Sequence, residues 1–180
     1  FTQAQMEALS TFVAPDGFST GPSNRELHIK DISPHRGKLP AGIIWPMTTG
    51  EVSDILAYTY AQGIPVTPWG AGTSTEGNPL PMHGGLVMDM TRMNRIIAIR
   101  PQDLQAEVQP GVFRKTLNQH TGRSGLFFPP DPGADATIGG MIANNASGVQ
   151  TIKYGATKDY VMRLVVVLPD GRVIHTGGKA

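Results

Sequence analysis

The chain has 180 residues and carries 15 Lys and Arg against 14 Asp and Glu, and this net charge of +1 argues against a nucleic-acid surface or a polybasic membrane patch. Its 22 Gly and 15 Pro predict a folded protein with many loops, and the absence of Cys excludes disulfides, thiolate metal sites and a cysteine nucleophile. No apolar run is long enough to span a membrane and no signal peptide is evident, so we expect a cytoplasmic protein or one bound peripherally to the inner membrane.

The N-terminal residues predict one short helix before the main body of the fold. Apolar residues recur with helical spacing over 3–14, and Pro15 ends the pattern. Residues 16–42 mix polar residues with Gly and Pro, which indicates a loop-rich lead-in.

A β-α-β pattern follows the lead-in. Residues 43–45 and 64–67 are apolar strand candidates. Between them, residues 51–62 have the 3.6-residue period of a helix that Thr48 or Thr49 can cap. Such a unit normally pairs its strands in parallel. Further short strands are predicted at 86–90, 96–99 and 106–108.

The second half of the chain mixes helices and strands in the same way. Helices are predicted over 112–120 and 140–146, and the long apolar run 161–168 indicates an interior strand. The Pro-Asp-Gly-Arg sequence at 169–172 is a hairpin turn signal. We therefore predict an α+β fold of two lobes. Its parts are a lead-in at 1–42, a first subdomain at 43–100 and a second at 101–180.

A Gly-rich segment directly after a predicted strand is the first candidate binding site. Small residues let backbone N–H groups approach an anion, and hydroxyl side chains add donors, so the segment suits a phosphate without Lys or Arg. An ordinary Gly-rich connection is the alternative, because such loops mark turns in general. The segment consists of Pro68, Trp69, Gly70, Ala71, Gly72, Thr73 and Ser74.

Two common phosphate motifs do not fit this segment. A Walker loop ends in Gly-Lys-Ser/Thr, and the segment contains no Lys. The Rossmann fingerprint needs a third Gly that opens a helix. Thr75 stands at that position, and residues 75–85 are too rich in Gly and Pro for a helix.

A second candidate site combines hydroxyls and carboxamides on tight backbone. A Gly-Gly pair at a predicted helix start is expected to leave backbone donors open. A capped helix with Ser and Asn at its ends is the structural alternative. The site consists of Asp131, Pro132, Gly133, Ala134, Asp135, Ala136, Thr137, Gly139, Gly140, Asn144, Asn145, Ala146, Ser147 and Gly148.

Several ordered strings carry a resemblance to a known family. They are residues 68–77, 85–93, 108–112, 125–137, 138–141, 145–148, 154–155 and 168–171. On these strings, residues 40–180 resemble the FAD-linked oxidases of the vanillyl-alcohol oxidase type. Within that family the resemblance is strongest to cytochrome-type D-lactate dehydrogenases, followed by the flavoprotein subunits of glycolate oxidases.

The resemblance implies a fold, a cofactor and a reaction. The fold is the two-subdomain FAD-binding fold of the PCMH type, with FAD between the subdomains. Residues 68–74 would line the pyrophosphate, 131–137 and 144–148 would hold the rest of the dinucleotide, and Gly139 and Gly140 would let the backbone approach it. The reaction would move a hydride from C2 of D-lactate or a similar 2-hydroxy acid to the flavin. A glycolate oxidase subunit and, from another class, a non-catalytic dinucleotide-binding or assembly module are the alternatives.

The chain departs from the family at two points. Relatives that bind FAD covalently have a His at the position of Thr73, and the Gly-rich segment has neither His nor Cys, so we expect non-covalent FAD. The substrate-binding cap domain, with its metal-binding and proton-abstracting histidines, would follow Ala180. We therefore expect a piece of a longer protein, with the catalytic residues and any membrane or electron-acceptor partner in the remainder.

The chain's own titratable residues predict neither a metal site nor a catalytic residue. Asp131 and Asp135 could imitate a catalytic carboxylate pair, but turn capping is the simpler role in a Pro-Gly loop. The histidines form no i,i+4 metal pair, and we interpret each as a surface or loop residue. They are His28, His35, His83, His120 and His175.

Overall fold

The computed structural model describes residues 1–178, which form two compact units. The first contains Phe1–Arg92 and the described residues from Met162 onward, and the second contains Met93–Val161. This division differs from the predicted subdomain boundary at residue 101, because the last strands pack with the first unit. The assignment of functional subdomains to 43–100 and 101–180 stays a prediction.

The first unit contains a four-stranded sheet. Its strands are β1 (Phe18–Ser19), β2 (Gly42–Ile44), β3 (Val66–Trp69) and β4 (Leu86–Asp89), in the order β1-β2-β4-β3. Both β2 and β3 run parallel to β4, which confirms the predicted parallel direction. However, β4 lies between them, and all four of its residues are buried.

Three helices belong to the first unit, namely α1 (Gln3–Thr11), α2 (Pro22–Leu27) and α3 (Thr49–Ala61). The predicted cap of α3 is confirmed, because Thr48 Oγ1 accepts a hydrogen bond from Glu51 N at 3.1 Å. Its Val52 and Ile55 are buried on one face. Helix α2 and strand β1 lie within the segment that the sequence predicts to be loop-rich.

A hairpin of β7 (Arg163–Val167) and β8 (Val173–Gly177) completes the first unit. The predicted turn is confirmed, since Gly171 N donates to Leu168 O at 2.9 Å. The prediction of an interior strand at 161–168 is wrong. Among the described residues β7 pairs only with β8, and Val165 is half-exposed. The hairpin packs on α3, where Ser53 Oγ donates to Gly171 O at 2.5 Å.

The second unit contains the antiparallel pair β5 (Ile96–Arg100) and β6 (Gln105–Val108) and the helices α4 (Arg114–Thr121), α5 (Ile138–Ala143) and α6 (Thr151–Tyr154). Helix α5 begins two residues earlier than predicted because Thr137 caps it. The core of the unit consists of Val112, Leu117, Ala136, Ile138 and Met141. None of the helices in the described residues is long and apolar enough to cross a membrane.

Candidate functional site

The Gly-rich segment leaves a run of backbone donors unused. Its first two residues, Pro68 and Trp69, are the end of β3, so the predicted strand at 64–67 extends two residues further, and no helix or strand follows until Leu86. Within the described part of the chain, no backbone N–H of residues 71–74 donates a hydrogen bond, whereas Ser74 Oγ accepts one from Glu76 N. Residues 70–74 are only partly buried. Four consecutive donors on a tight loop can bind an anion without a cationic side chain.

Gly72 is required by the packing beneath this loop. Its φ is +65°, and a Cβ added there would lie 2.6 Å from Cζ2 of Trp69. Trp69 is buried in a cluster with Ile43, Leu80 and Val87. The sequence leaves open whether Trp69 packs or stacks on a flavin, and its burial supports packing. The Trp69 ring thus packs directly against the loop at Gly72.

A buried polar cluster, which the sequence analysis did not identify, lies behind Trp69. The rings of His28 and Trp69 meet edge to face at 4.8 Å. His28 Nε2 lies 3.0 Å from Asp89 Oδ2, and Nδ1 lies 2.7 Å from Asn24 O. Both ring nitrogens of His28 therefore have an oxygen within hydrogen-bond distance. The interpretation of His28 as a surface or loop residue is therefore wrong, because its ring is buried between α2 and the sheet.

Asp89 is the charged centre of this cluster. Burial raises its pKa, but hydrogen bonds from His28, Thr91 and Trp45 outweigh burial, so the pKa lies below its usual value of 3.8. Trp45 Nε1 donates to Oδ2 at 2.7 Å, and both N and Oγ1 of Thr91 donate to Oδ1. The ionised carboxylate therefore ties β4 to α2 and to the residue after β2.

The predicted dinucleotide loop of the second unit, residues 131–137, is fastened to the start of α4. Arg114 N donates to Ala136 O at 2.9 Å, and Arg114 Nη2 lies 3.1 Å from Asp131 Oδ1. Lys115 N donates to Asp135 Oδ1 at 3.2 Å. Asp131 Oδ1 also accepts from Gly133 N at 3.1 Å, so the predicted turn-capping role of Asp131 is confirmed.

The expectation of open donors at the Gly-Gly pair is wrong. Gly139 N donates to Pro110 O at 2.8 Å, and Gly140 N donates to Thr137 Oγ1 at 3.3 Å. A Cβ at Gly139 would lie 2.6 Å from Cβ of Pro110. Gly139 therefore permits close packing of α5 on the Pro110 turn, and its N–H has no spare hydrogen for a ligand.

The segment from Asn144 to Gly148 is mostly exposed and lies against the 131–137 loop. A Cβ at Gly148 would lie 1.6 Å from Asp131 O, so only Gly fits this approach. Asn145 adopts φ +47°, and its Oδ1 accepts from Lys158 N at 2.9 Å. The main chains of the two predicted segments therefore meet directly, and the side chain of Ser147 is exposed beside them.

No group of three or more metal-ligating side chains occurs among the described residues. The expected surface or loop position fits four of the five histidines, which lie outside buried positions. Residues 71–74 supply unused backbone donors and two hydroxyls, which can bind an anion.

Comparisons with known proteins agree on one family. The family model described as "FAD binding domain" matches residues 40–177. A relative from Danio rerio named probable mitochondrial D-lactate dehydrogenase is 37% identical over 99% of this chain and 36% of its own length. The glycolate oxidase subunit GlcD of Bacillus subtilis is 38% identical over 99% of this chain and 38% of its own length. The chain thus spans little more than a third of these relatives.

Solved structures match the fold over nearly the whole chain. An alkyldihydroxyacetonephosphate synthase aligns with a TM-score of 0.88 over 98% of this chain and 34% of its own, at 23% identity. The 6-hydroxy-D-nicotine oxidase of Arthrobacter nicotinovorans aligns with a TM-score of 0.78 over 90% of this chain and 36% of its own, at 22% identity. At these identities the likeness establishes the fold.

Proposed function

The chain belongs to the FAD-binding domain family, and we propose that it is the FAD-binding part of a longer enzyme that oxidises a D-2-hydroxy acid such as D-lactate. FAD is the cofactor of this family. The names of the relatives from Danio rerio and Arabidopsis thaliana, both D-lactate dehydrogenases, support the choice of substrate class. The glycolate oxidase subunit among the relatives supports the alternative of a glycolate-oxidising enzyme.

The observation that carries the proposal is the row of unused N–H groups at residues 71–74. A pyrophosphate is a dianion, and a run of convergent backbone donors binds such a group without the desolvation cost of a buried cation. Pro68–Ser74 would therefore hold the pyrophosphate. The 131–137 loop and residues 144–148 would hold the remainder of the dinucleotide. Gly139 and Gly140 would let the backbone approach it, although their N–H groups are already paired.

The chain's own contribution is binding and orientation. When bound, FAD would supply the redox chemistry for oxidation of the acid at C2. Proton removal from the substrate hydroxyl needs a base within hydrogen-bond reach, and we assign that base to the part of the enzyme outside this chain. We assign to the same part any electron acceptor or membrane partner, and we propose a cytoplasmic or inner-membrane-associated enzyme.

Titration with flavins tests the binding proposal. The flavin fluorescence of FAD should be quenched on binding. Riboflavin lacks the pyrophosphate, so it should bind at least about tenfold more weakly if the phosphate contacts contribute about 1.4 kcal/mol or more. Equal affinity for riboflavin and FAD would contradict the assignment of 68–74 to the pyrophosphate. A chain that bound no flavin would favour the non-catalytic module.

We also propose that the flavin is held non-covalently. Thr73 occupies the position of the covalent His in some relatives, residues 68–74 contain no His, and the chain contains no Cys. Bound FAD should therefore separate from the protein in acid or on a denaturing gel. Flavin fluorescence that stays with the denatured polypeptide would contradict this part of the proposal.

A further inference from the structure

We infer that Asp131 and Asp135 do not bind the cofactor through their carboxylates but fasten the 131–137 loop to α4, with Arg114 as the counter-ion of Asp131. The inference rests on the proposed function, because that loop is one of the proposed FAD-binding segments. It turns two predicted ligands into positioning residues and adds Arg114, a residue that the sequence analysis did not single out.

Arg114 is held by the loop through both its main chain and its side chain. Its N–H donates to Ala136 O at 2.9 Å, and its Nη2 lies 3.1 Å from Asp131 Oδ1. The Arg114 side chain is only 13% exposed, and its Nε is buried without a partner in the described residues. Because so much of the guanidinium is out of water, Asp131 is its principal compensation.

Asp135 supplies a cap that α4 lacks from its own sequence. The N-cap position of α4 is Phe113, which has no side chain able to cap. The carboxylate of Asp135 accepts from Lys115 N at 3.2 Å, which satisfies one of the donors at the start of this eight-residue helix. A carboxylate is also favoured there by the helix dipole.

These pairings matter for an anionic ligand. Two uncompensated carboxylates in a loop that holds part of an anionic dinucleotide would repel it. With Asp131 paired to Arg114 and Asp135 placed at the start of α4, the loop offers its backbone instead, including Gly133, around which a Cβ would find open space. Replacement of Arg114 would therefore remove the ion pair that holds the loop on α4 and leave the Asp131 carboxylate without a counter-ion near the cofactor.

FAD titration of variants of the whole chain tests the inference. Arg114→Gln should weaken FAD binding by about tenfold or more, because it leaves the Asp131 carboxylate without its counter-ion in a loop that binds an anionic ligand. Asp131→Asn leaves Arg114 without its counter-ion and should lower the stability of the chain, but its FAD affinity should stay within about threefold of wild type because no unpaired negative charge faces the ligand. The double variant should recover to a similar affinity because the charges again balance. The loss in Arg114→Gln should shrink as salt screens the repulsion.

Arg100→Gln is the matched control. Arg100 lies in the same unit and forms a longer ion pair with Glu107, at 3.6 Å, with a side chain that is 37% exposed. Its replacement makes the same change in net charge but should leave FAD affinity within about twofold, since exposed pairs contribute little. Far-UV circular dichroism and thermal unfolding check that each variant is folded.

Each outcome separates the inference from the proposed function. If Asp131→Asn weakened FAD binding as much as Arg114→Gln, the carboxylate would be a direct ligand and the inference would be overturned. Wild-type affinity in Arg114→Gln would also overturn it. If Arg114→Gln did not fold, near-normal binding by both Asp131→Asn and Asp135→Asn would support the inference, and loss in either would overturn it. A wild-type chain without FAD affinity would overturn the proposed function and with it any cofactor role of this contact.

Discussion

At the scale of single residues, Gly72 combines two constraints that a side chain would violate. Its φ of +65° costs an L-residue about 1–2 kcal/mol, and its Cβ would lie 2.6 Å from the Trp69 ring. Gly72→Ala should therefore displace residues 71–74 and weaken FAD binding by about tenfold or more, an effect worth about 1.4 kcal/mol. Fluorescence titration measures the affinity, and thermal unfolding measures the stability.

Gly63→Ala is the control for that variant. Gly63 has nearly the same φ, +64°, in the same unit, but an added Cβ there has no neighbour within 4 Å. Gly63→Ala should lose only the stability that a positive φ costs an L-residue, and it should bind FAD with wild-type affinity. Equal loss of FAD affinity in the two variants would mean that the effect is general destabilisation rather than disruption of the loop.

Asp89 makes stability depend on pH in a definite direction. Because its pKa is lowered in the folded protein, its contribution is present above the unfolded-state value near 3.8 and is lost as the pH falls below it. Asp89→Asn removes the ionised acceptor of the hydrogen bonds from Trp45 and Thr91 and should reduce the free energy of unfolding at pH 7 by about 1.5–3 kcal/mol.

Urea unfolding at two pH values checks this prediction. The difference in unfolding free energy between wild type and Asp89→Asn should be larger at pH 7 than at pH 3, which lies below the unfolded-state pKa of this carboxyl. A difference of the same size at both pH values would mean that the ionised form of Asp89 is not what stabilises the cluster.

The residues around Asp89 also mark a limit of sequence analysis. The Gly-rich segment is predictable because its glycines and hydroxyls are adjacent and follow a strand. His28 and Asp89 are 61 residues apart, and neither has a neighbour that indicates a pair. Likewise, the sequence identifies Asp131 and Asp135 as members of a binding loop, but only the fold shows that their carboxylates face α4.

At the scale of elements, local patterns predict type better than pairing. The helix α3 and its Thr48 cap follow from periodicity and capping chemistry, which depend on neighbours within one or two turns. The position of β4 between β2 and β3 depends on contacts between distant segments, and no local pattern indicates it. Short elements such as α2 and α6 have too few residues to show a period.

The apolar run at 161–168 shows how composition can mislead. Five apolar residues in succession, 164–168, resemble a buried strand. In the structure β7 has only β8 beside it among the described residues, and Val165 is 53% exposed. A run of apolar residues favours a β-strand, but it does not by itself determine how many strands pair with it.

The contact between the β7–β8 turn and α3 can be tested with one substitution. Gly171 has φ +87°, and an added Cβ would lie 2.7 Å from Cβ of Ala57 and from Ser53 O. Gly171→Ala should lower the free energy of unfolding by about 1–3 kcal/mol through overpacking, beyond the backbone cost that Gly63→Ala also shows. Thermal or urea unfolding of the two variants gives the difference, and equal losses would mean that the turn is not tightly packed on α3.

At the scale of the whole molecule, the two units differ in how the chain builds them. The second unit is one continuous stretch, Met93–Val161, whereas the first is assembled from the stretches before and after it. The Gly-rich segment belongs to the first unit and the 131–137 loop to the second. The family match over residues 40–177 covers both.

The late position of the β7–β8 hairpin has a consequence for synthesis on the ribosome. Chains emerge from the N-terminus at about 5–20 residues per second, and domains generally fold as units. All of Met93–Val161 therefore emerges before the hairpin that packs on α3. The unit whose synthesis begins first is therefore completed last. At an intermediate length the nascent chain contains all residues of the second unit, but Ser53 and Ala57 on α3 do not yet have Gly171 to pack against.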